Sequence, residues 1–430
     1  MKIFLDSIGC RLNQSEIEKY ASEFIACGHE LVSTMETADL AVLNTCAVTA
    51  AAASDSRQRL HRLLNHQNLK VIATGCLTEI EPKLLSNLSG DIQFIPNLNK
   101  DELVRYVLGS VPSEHPAIRV SVPGRRQRTR AFIKAQDGCN NHCTFCVTRI
   151  ARGTARSIPV TDICADVRSA LASGVKEIVL TGVHLGCWGV EYSPPQHLSD
   201  LLQHILTISG DFRIRLSSLE PWDLTPDFFC LWQDDDRLCR HFHLPLQSGS
   251  AATLKRMARN TTPDAYRELM QEIRRLVPGV SISTDVIVGF PGENEIEFKE
   301  SLKFISEMGF AAGHVFHFSP REGTPAARLP NQVAETDKKA RSRLMRAVLA
   351  RSGCEIRTGM LNTIVPVLWE GLRQLAEGKW QVAGLTHNNF RVRTIVSEKI
   401  NNRLLSTRLD SLSEDGFIGS VILPGKQARR

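Results

Sequence analysis

The stretch GCNNHCTFC, residues 138–146, sets Cys139, Cys143 and Cys146 on one short loop in a C-x3-C-x2-C spacing. In a long chain without a secretory pattern, thiols so close together read as metal ligands rather than as a disulfide framework. A closed zinc site takes four ligands, and a cubane cluster has four irons to cover. Three cysteines leave one position open. His142 is the alternative fourth ligand for zinc, but it adjoins Cys143, so its side chain is expected to point elsewhere. No second cysteine pair follows nearby to complete a zinc knuckle.

A more scattered set lies upstream: Cys10 in SIGC, Cys46 in LNTC and Cys76 in ATGC. Each falls just after the end of an apolar run that reads as a strand. In an open parallel sheet the C-terminal strand ends share one edge, where ligands bind, so three successive strand–helix turns would bring these thiols together. The small neighbours Gly9, Thr45 and Gly75 are expected to let the backbone approach a bulky group. Three unrelated buried cysteines are the bland alternative. Cys27, Cys164, Cys230, Cys239 and Cys354 match no motif position and read as packing residues, while Cys187 in HLGCWG, also outside the motifs, is the exception, expected near the mouth of the pocket.

The elements that must position these residues are legible in the periodicity. Residues 1–110 alternate strands (2–6, 40–44, 70–74, 93–95) with helices (15–26, 54–65, 79–88, 100–108), which predicts an α/β domain with a doubly wound parallel sheet. Residues 111–130 are rich in Pro, Ser and Gly and end in RRQRTR, so they read as a linker. Residues 131–353 carry strands at 132–135, 177–181, 213–217, 241–246, 283–288 and 313–318 with helices between. Six such units suit a partial (β/α)6 barrel, with active residues at the strand C-termini. Residues 357–424 are β-rich (NTIVPVLWE, WQVAGLT, FRVRTIV, FIGSVIL) and predict a small antiparallel β-barrel of a kind used on nucleic acids.

The chain has 430 residues and a net charge of +6. That mild basic excess permits an anionic partner without demanding one. No apolar run is long enough to span a bilayer. The start, MKIFLDSIGC, meets Asp6 after three apolar residues and reads as a buried strand, so a cytoplasmic protein is expected.

Cys10, Cys46 and Cys76, then GCNNHCTFC, Ala151-Arg152-Gly153, LTGVHLG, LPLQSGS and DVIVGFPGE together resemble the radical S-adenosylmethionine (SAM) methylthiotransferases over essentially the whole chain. The resemblance implies that Cys139, Cys143 and Cys146 hold a 4Fe-4S cluster whose open iron is chelated by SAM. It implies that Cys10, Cys46 and Cys76 hold an auxiliary 4Fe-4S cluster that presents sulfur. SAM would serve as both radical source and methyl donor, and the C-terminal barrel would be the TRAM-like RNA-binding domain. Such chemistry suits an unactivated C–H bond, which offers no proton to an ordinary base near neutral pH. Gly182, Glu220, Gln247, Ser248 and Asp285 are the expected SAM contacts. Arg125, Arg126, Arg128, Arg391 and Arg393 are the expected RNA contacts.

LTGVHLG, GCNNHCTFC and HVFHFSPREGTPAA resemble the subgroup acting on tRNA that carries N6-threonylcarbamoyladenosine. The expected partners are tRNA and an electron donor such as flavodoxin or ferredoxin, with neither DNA nor membrane. The same chemistry on isopentenyladenosine, or on a ribosomal-protein aspartate, is the alternative. Residues 358–430 hold ten Lys and Arg against six Asp and Glu, which leans towards RNA. An iron–sulfur or zinc RNA-binding protein without catalysis is the further alternative. One departure stands out: Val147-Thr148-Arg149-Ile150 lacks the proline and aromatic residue usual before Ala151-Arg152-Gly153, so the substrate-side loop is expected to differ.

Overall fold

The computed structural model describes residues 1–66, 68–83, 90–109, 119–120, 122–123 and 129–422. Most of the expected linker, with Arg125, Arg126 and Arg128, lies outside the described residues, as does the tail after residue 422. The chain divides into two compact units. One comprises Met1–Gly174, Ile178–Gly210 and Ser319–Arg328; the other comprises Val175–Glu177, Asp211–Phe318 and Leu329–Arg430.

The first unit opens with five parallel strands: β1 (Lys2–Ser7), β2 (Glu30–Val32), β3 (Leu40–Thr45), β4 (Lys70–Gly75) and β5 (Ile92–Phe94). Their order is β2-β1-β3-β4-β5, so the direction of winding reverses between β1 and β3. The central strand β3 is buried throughout, which is why LAVLNT reads as an unbroken apolar run. Its alternate residues serve opposite faces. Leu40 and Val42 pack with Ile17, Tyr20 and Phe24 of helix α1 (Arg11–Ala26). Ala41 and Leu43 pack with Ala53, Leu60 and Leu63 of helix α2 (Ala50–Leu64). The Thr49 hydroxyl caps α2 by accepting from Ala52 N–H at 3.1 Å.

Helix α3 (Cys76–Ile80) starts on the cysteine itself; most of the remainder of the helix expected over 79–88 lies outside the described residues. Strand β2, too short to show alternation, was not expected from the sequence. The unit continues with β6 (Arg130–Lys134), β7 (Gln136–Asp137), a short helix Thr148–Arg152, β8 (Arg156–Ser157) and β9 (Glu177–Thr181). Ala135 N–H donates to Thr181 O at 2.8 Å, setting the end of β6 beside β9.

The second unit carries β10 (Arg213–Leu216), β11 (His241–His243), β12 (Ser281–Val288) and β13 (Ala312–His317), the last three parallel and adjacent in that order. All six strands expected of the partial barrel therefore form. After a helix over Glu335–Gly359 come β14 (Ile364–Gln374), β15 (Trp380–Thr386), β16 (Arg391–Val396), β17 (Arg403–Ser413) and β18 (Gly416–Val421). They close in the order β14-β15-β16-β18-β17 around Val367, Trp369, Val382, Val392, Leu409 and Phe417. Four seams are antiparallel and β16–β18 is parallel. Five is odd, so the strands of a closed ring cannot all alternate in direction. Strand β17 has no counterpart in the sequence reading, because its charged residues interrupt the apolar pattern.

The barrel is fastened to its own unit through a buried ion triad. Glu177 accepts from Arg213 Nε at 2.6 Å and Arg215 Nε at 3.0 Å. The same guanidiniums donate onward to the carbonyls of Leu385, Thr386 and His387.

Candidate active site

Cys10 follows β1, Cys46 follows β3 and Cys76 follows β4, so the three lie along the strand ends at and beside the reversal point of the sheet. The backbone must come close there. Gly9 has φ +96°, and a Cβ on it would overlap the side chain of Cys46. Gly75 has φ +99°, and a Cβ on it would overlap the carbonyl of Thr45. Asn13, in the first turn of α1, donates to Ile8 O at 2.8 Å and Thr45 O at 2.9 Å, tying the loop of Cys10 to that of Cys46. The Ser56 hydroxyl accepts from Cys46 N–H at 3.0 Å and donates back to its carbonyl at 2.9 Å.

The three thiols feel one another. Burial pushes Cys46 up to about 11; a hydrogen bond from Val48 N–H opposes this, and Cys76 and Cys10 add to the rise. Burial also raises Cys76, against the pull of the Arg152 cation, with Cys10 raising it further. Three thiolates in so dry a place need compensating positive charge, which a cluster bound there would supply as the thiols released their protons. Among the described residues, no three His, Cys, Asp or Glu side chains gather closely enough to hold a single metal ion. The cysteines of a cluster are spread around several irons, a wider arrangement than four ligands around one zinc.

Cys139 follows β7, and its N–H donates to Gly153 O at 3.1 Å. Its sulfur accepts from Asn141 N–H at 3.4 Å and lies 4.0 Å from His184 Nδ1. His184 is held in turn by its N–H to Gln136 Oε1 at 2.8 Å. Cys146 N–H donates to Cys143 O at 3.1 Å, and Thr148 N–H donates to Cys146 Sγ at 3.4 Å. Backbone N–H groups aimed at sulfur favour the thiolate and tune any iron it binds. His142 faces Arg149, whose guanidinium is 2.8 Å from its Nε2.

A buried charge network joins the two cysteine sets within this unit. Lys100 binds Glu16 at 2.7 Å and Asp137 at 2.8 Å. Arg152 donates to Asp137 at 2.8 Å and to Asn13 Oδ1 at 2.7 Å, the same oxygen that accepts from the Cys10 thiol at 3.5 Å. Lys134 binds Asp101 and stands 3.5 Å from Glu16. Burial works against both carboxylates, but the cations of Lys100, Arg152 and Lys134 outweigh it and hold Glu16 and Asp137 below their ordinary range.

The expected SAM contacts are spread over both units. Gly182, in the first, packs on the Gln136 side chain. In the second, Glu220 accepts from Arg259 at 3.2 and 2.6 Å, and that guanidinium lies over Trp222. Gln247 has φ +77° and bridges to Val286, while Ser248 is buried and its hydroxyl accepts from Ser250 N–H. Asp285 is flanked by His243 and His314. Burial raises its carboxyl, and hydrogen bonds from the two imidazoles more than reverse that, leaving it well below the ordinary range.

The chain matches the radical SAM superfamily over residues 133–305 and the uncharacterized protein family UPF0004 over residues 2–96. It is 34% identical to the threonylcarbamoyladenosine tRNA methylthiotransferase MtaB of Bacillus subtilis, covering 90% of this chain and 88% of that protein. The chain belongs to the radical SAM methylthiotransferase family. The Thermotoga maritima protein of the same name is 32% identical over 96% of this chain and 95% of its own length. A tRNA-2-methylthio-N(6)-dimethylallyladenosine synthase of Clostridioides difficile is 30% identical over 90% and 84%. Among solved structures, the radical SAM methyltransferase TsrM of Kitasatospora setae shares the fold, with a TM-score of 0.55 at 13% identity over 76% and 75% of the two chains.

Membership of the methylthiotransferase family brings a 4Fe-4S cluster and SAM, and the donor set of Cys139, Cys143 and Cys146 suits such a cluster. The family's usual proline and aromatic residue are replaced here by Arg149, which engages His142, and Ile150, which is exposed. On the barrel, Arg393 pairs bidentately with Asp415 at 2.6 and 2.8 Å, and Arg391 lies 3.4 Å from the same carboxylate. No helix among the described residues is long and apolar enough to cross a membrane. The sequence reading missed Asn13, Glu16, Lys100 and Asp137, and treated Arg152 only as part of a motif. One signal was available: Asn13 and Glu16 recur at helical spacing on the face of α1 that follows Cys10.

Proposed function

We propose that this protein adds a methylthio group to C2 of N6-threonylcarbamoyladenosine at position 37 of tRNA, next to the anticodon. The observation that carries this reading is a pair of three-cysteine sets, each on strand-end loops of one compact unit and joined through buried Arg152 and its partners Asp137 and Asn13. The similarity to proteins of that named activity runs along most of the chain.

Cys139, Cys143 and Cys146 would hold the cluster that works with SAM; Cys10, Cys46 and Cys76 would hold a second. Bound there, the two clusters and SAM supply an electron for SAM cleavage, a carbon radical, a methyl group and a sulfur atom to carry it. The chain's own residues do the positioning. Asn141 and Thr148 present N–H groups to two of the sulfurs. Asn13 and Ser56 fix the loops of Cys10 and Cys46. Gly182, Glu220, Gln247, Ser248 and Asp285 remain the residues we assign to SAM. Arg391 and Arg393 are assigned to the RNA backbone, together with Arg125, Arg126 and Arg128. The work is done in the cytoplasm, with electrons from a carrier of the flavodoxin or ferredoxin kind.

The test is mass spectrometry of nucleosides from bulk tRNA of a host lacking 2-methylthio-threonylcarbamoyladenosine, with and without this gene. Appearance of that nucleoside, and its loss in Cys143→Ala, is the expected result. Relatives named as dimethylallyladenosine synthases at 30–31% identity make that base the second reading. Finding only 2-methylthio-isopentenyladenosine would select it. No change in any tRNA nucleoside would overturn the tRNA assignment.

A further inference from the structure

Arg152 is 2% exposed, and every polar contact it makes belongs to one of the two cysteine loops or to the charge network between them. One guanidinium nitrogen reaches Asp137, whose carboxylate also accepts from Gly138 N–H at 2.9 Å, immediately before Cys139. The other reaches Asn13, which in turn holds the loops of Cys10 and Cys46. The same Asn13 oxygen accepts from the Cys10 thiol at 3.5 Å, so one amide group links the guanidinium to that sulfur. Lys100 and Lys134 meet the Asp137 oxygen that Arg152 leaves free, and both also share the Glu16 oxygen with Arg152, so both carboxylates are held in place. The short helix Thr148–Arg152 delivers it, with Ala151 carbonyl accepting from Asn97 Nδ2 at 2.5 Å. A buried cation this firmly held beside sulfur has a fixed electrostatic consequence.

We infer that Arg152 is a positioning residue of the Cys10–Cys46–Cys76 site. Clamped by Asp137 and by Asn13, whose side-chain oxygen also holds the Cys10 thiol, its charge stabilises the thiolate set and raises the reduction potential of the cluster held there. The inference rests on the reading that these cysteines hold a cluster. Three thiolates give a cubane excess negative charge, and adding one electron increases it. A neighbouring cation therefore favours the reduced form, and Asp137, paired with the guanidinium at 2.8 Å, moderates that effect. In the titration below the electron comes from dithionite, and no bond is made or broken in the protein.

The experiment uses the full chain with Cys139, Cys143 and Cys146 all replaced by alanine, so that only the upstream set can be loaded. Iron and acid-labile sulfide are counted, and the midpoint potential is followed by electron paramagnetic resonance. In this background Arg152→Gln is expected to shift the oxidised-to-reduced ratio at fixed potential by about tenfold towards oxidised, 59 mV for a one-electron couple. Arg152→Lys, which keeps the charge and loses the fork, should lower cluster content yet hold the potential closer to the parent. Asp137→Asn should move the potential in the opposite sense. Opposite signs are not produced by loosened packing alone. Equal potentials in the parent, Arg152→Gln and Asp137→Asn would overturn the inference. Should Arg152→Gln not fold, the parent, Arg152→Lys and Asp137→Asn still decide it. If the parent with Arg152 intact holds no cluster, the two-cluster reading itself falls, and this inference with it.

Discussion

Replacing Lys100 by methionine tests how the network between the cysteine loops is held. The side chain is 1% exposed and spans Glu16 and Asp137, both buried. Methionine keeps most of the volume, so the change isolates the charge. Glu16 then keeps only Arg152 at 3.4 Å and Lys134 at 3.5 Å as cationic partners. Asp137 keeps Arg152 at 2.8 Å and Lys134 at 3.6 Å. Removing one partner from a buried ion pair costs about 3–5 kcal/mol, because the remaining charge stays desolvated. For a unit near 200 residues that corresponds to roughly 6–20 °C in melting temperature. The comparison is Lys19→Met, in the same unit: Lys19 is 46% exposed and 3.7 Å from Glu23, a helical surface pair worth about 0.3–0.5 kcal/mol. Urea denaturation of the metal-free chain, followed by circular dichroism, reads both. If the two variants lie within about 1 kcal/mol of each other, the reasoning about the buried network is wrong.

Further outcomes follow from single residues. Gly75→Ala places a Cβ against the Thr45 carbonyl at φ +99°, a cost of about 2 kcal/mol or more. It should lower iron bound by the Cys10–Cys46–Cys76 set while leaving SAM cleavage intact; unchanged iron content would contradict the packing described. His387 is pushed down to about 4, by burial first and then by Arg213 and Arg215. The unfolded chain takes up a proton near 6.5 and the folded one only near 4, so stability present above 6.5 is lost as pH falls through that window. The loss is at most about 3 kcal/mol. His387→Gln should flatten the melting temperature between pH 6.5 and 4, and an unaltered acid limb would rule His387 out as its source. Replacing both Arg391 and Arg393 by Glu should weaken tRNA binding and reduce the salt slope by about 1–2; an unchanged slope would remove them from the RNA surface.

Most of the architecture was legible because its signals are local. Continuous apolar runs such as LAVLN mark strands buried on both faces, and cysteines placed just after such runs must lie at the ligand edge of a parallel sheet. Cys10, Cys46 and Cys76 could therefore be placed along one edge of the sheet without coordinates. The C-terminal barrel was recognisable as β-rich, although β17 was missed and a parallel seam between β16 and β18 is not encoded in any short window.

The linear chain by itself determined the residue types, the three-cysteine spacing and the helix and strand periods, since these depend on neighbours within a few positions. Tertiary structure alone decided which charges meet. Glu16, Lys100, Asp137 and Arg152 are separated by 15 to 136 positions in the pairs they form, among them Arg152 with Asp137 and with Glu16. Each alone looks like an ordinary surface ion. They are buried only because the fold supplies every one with a partner, and a charge without that partner would not have been buried at all.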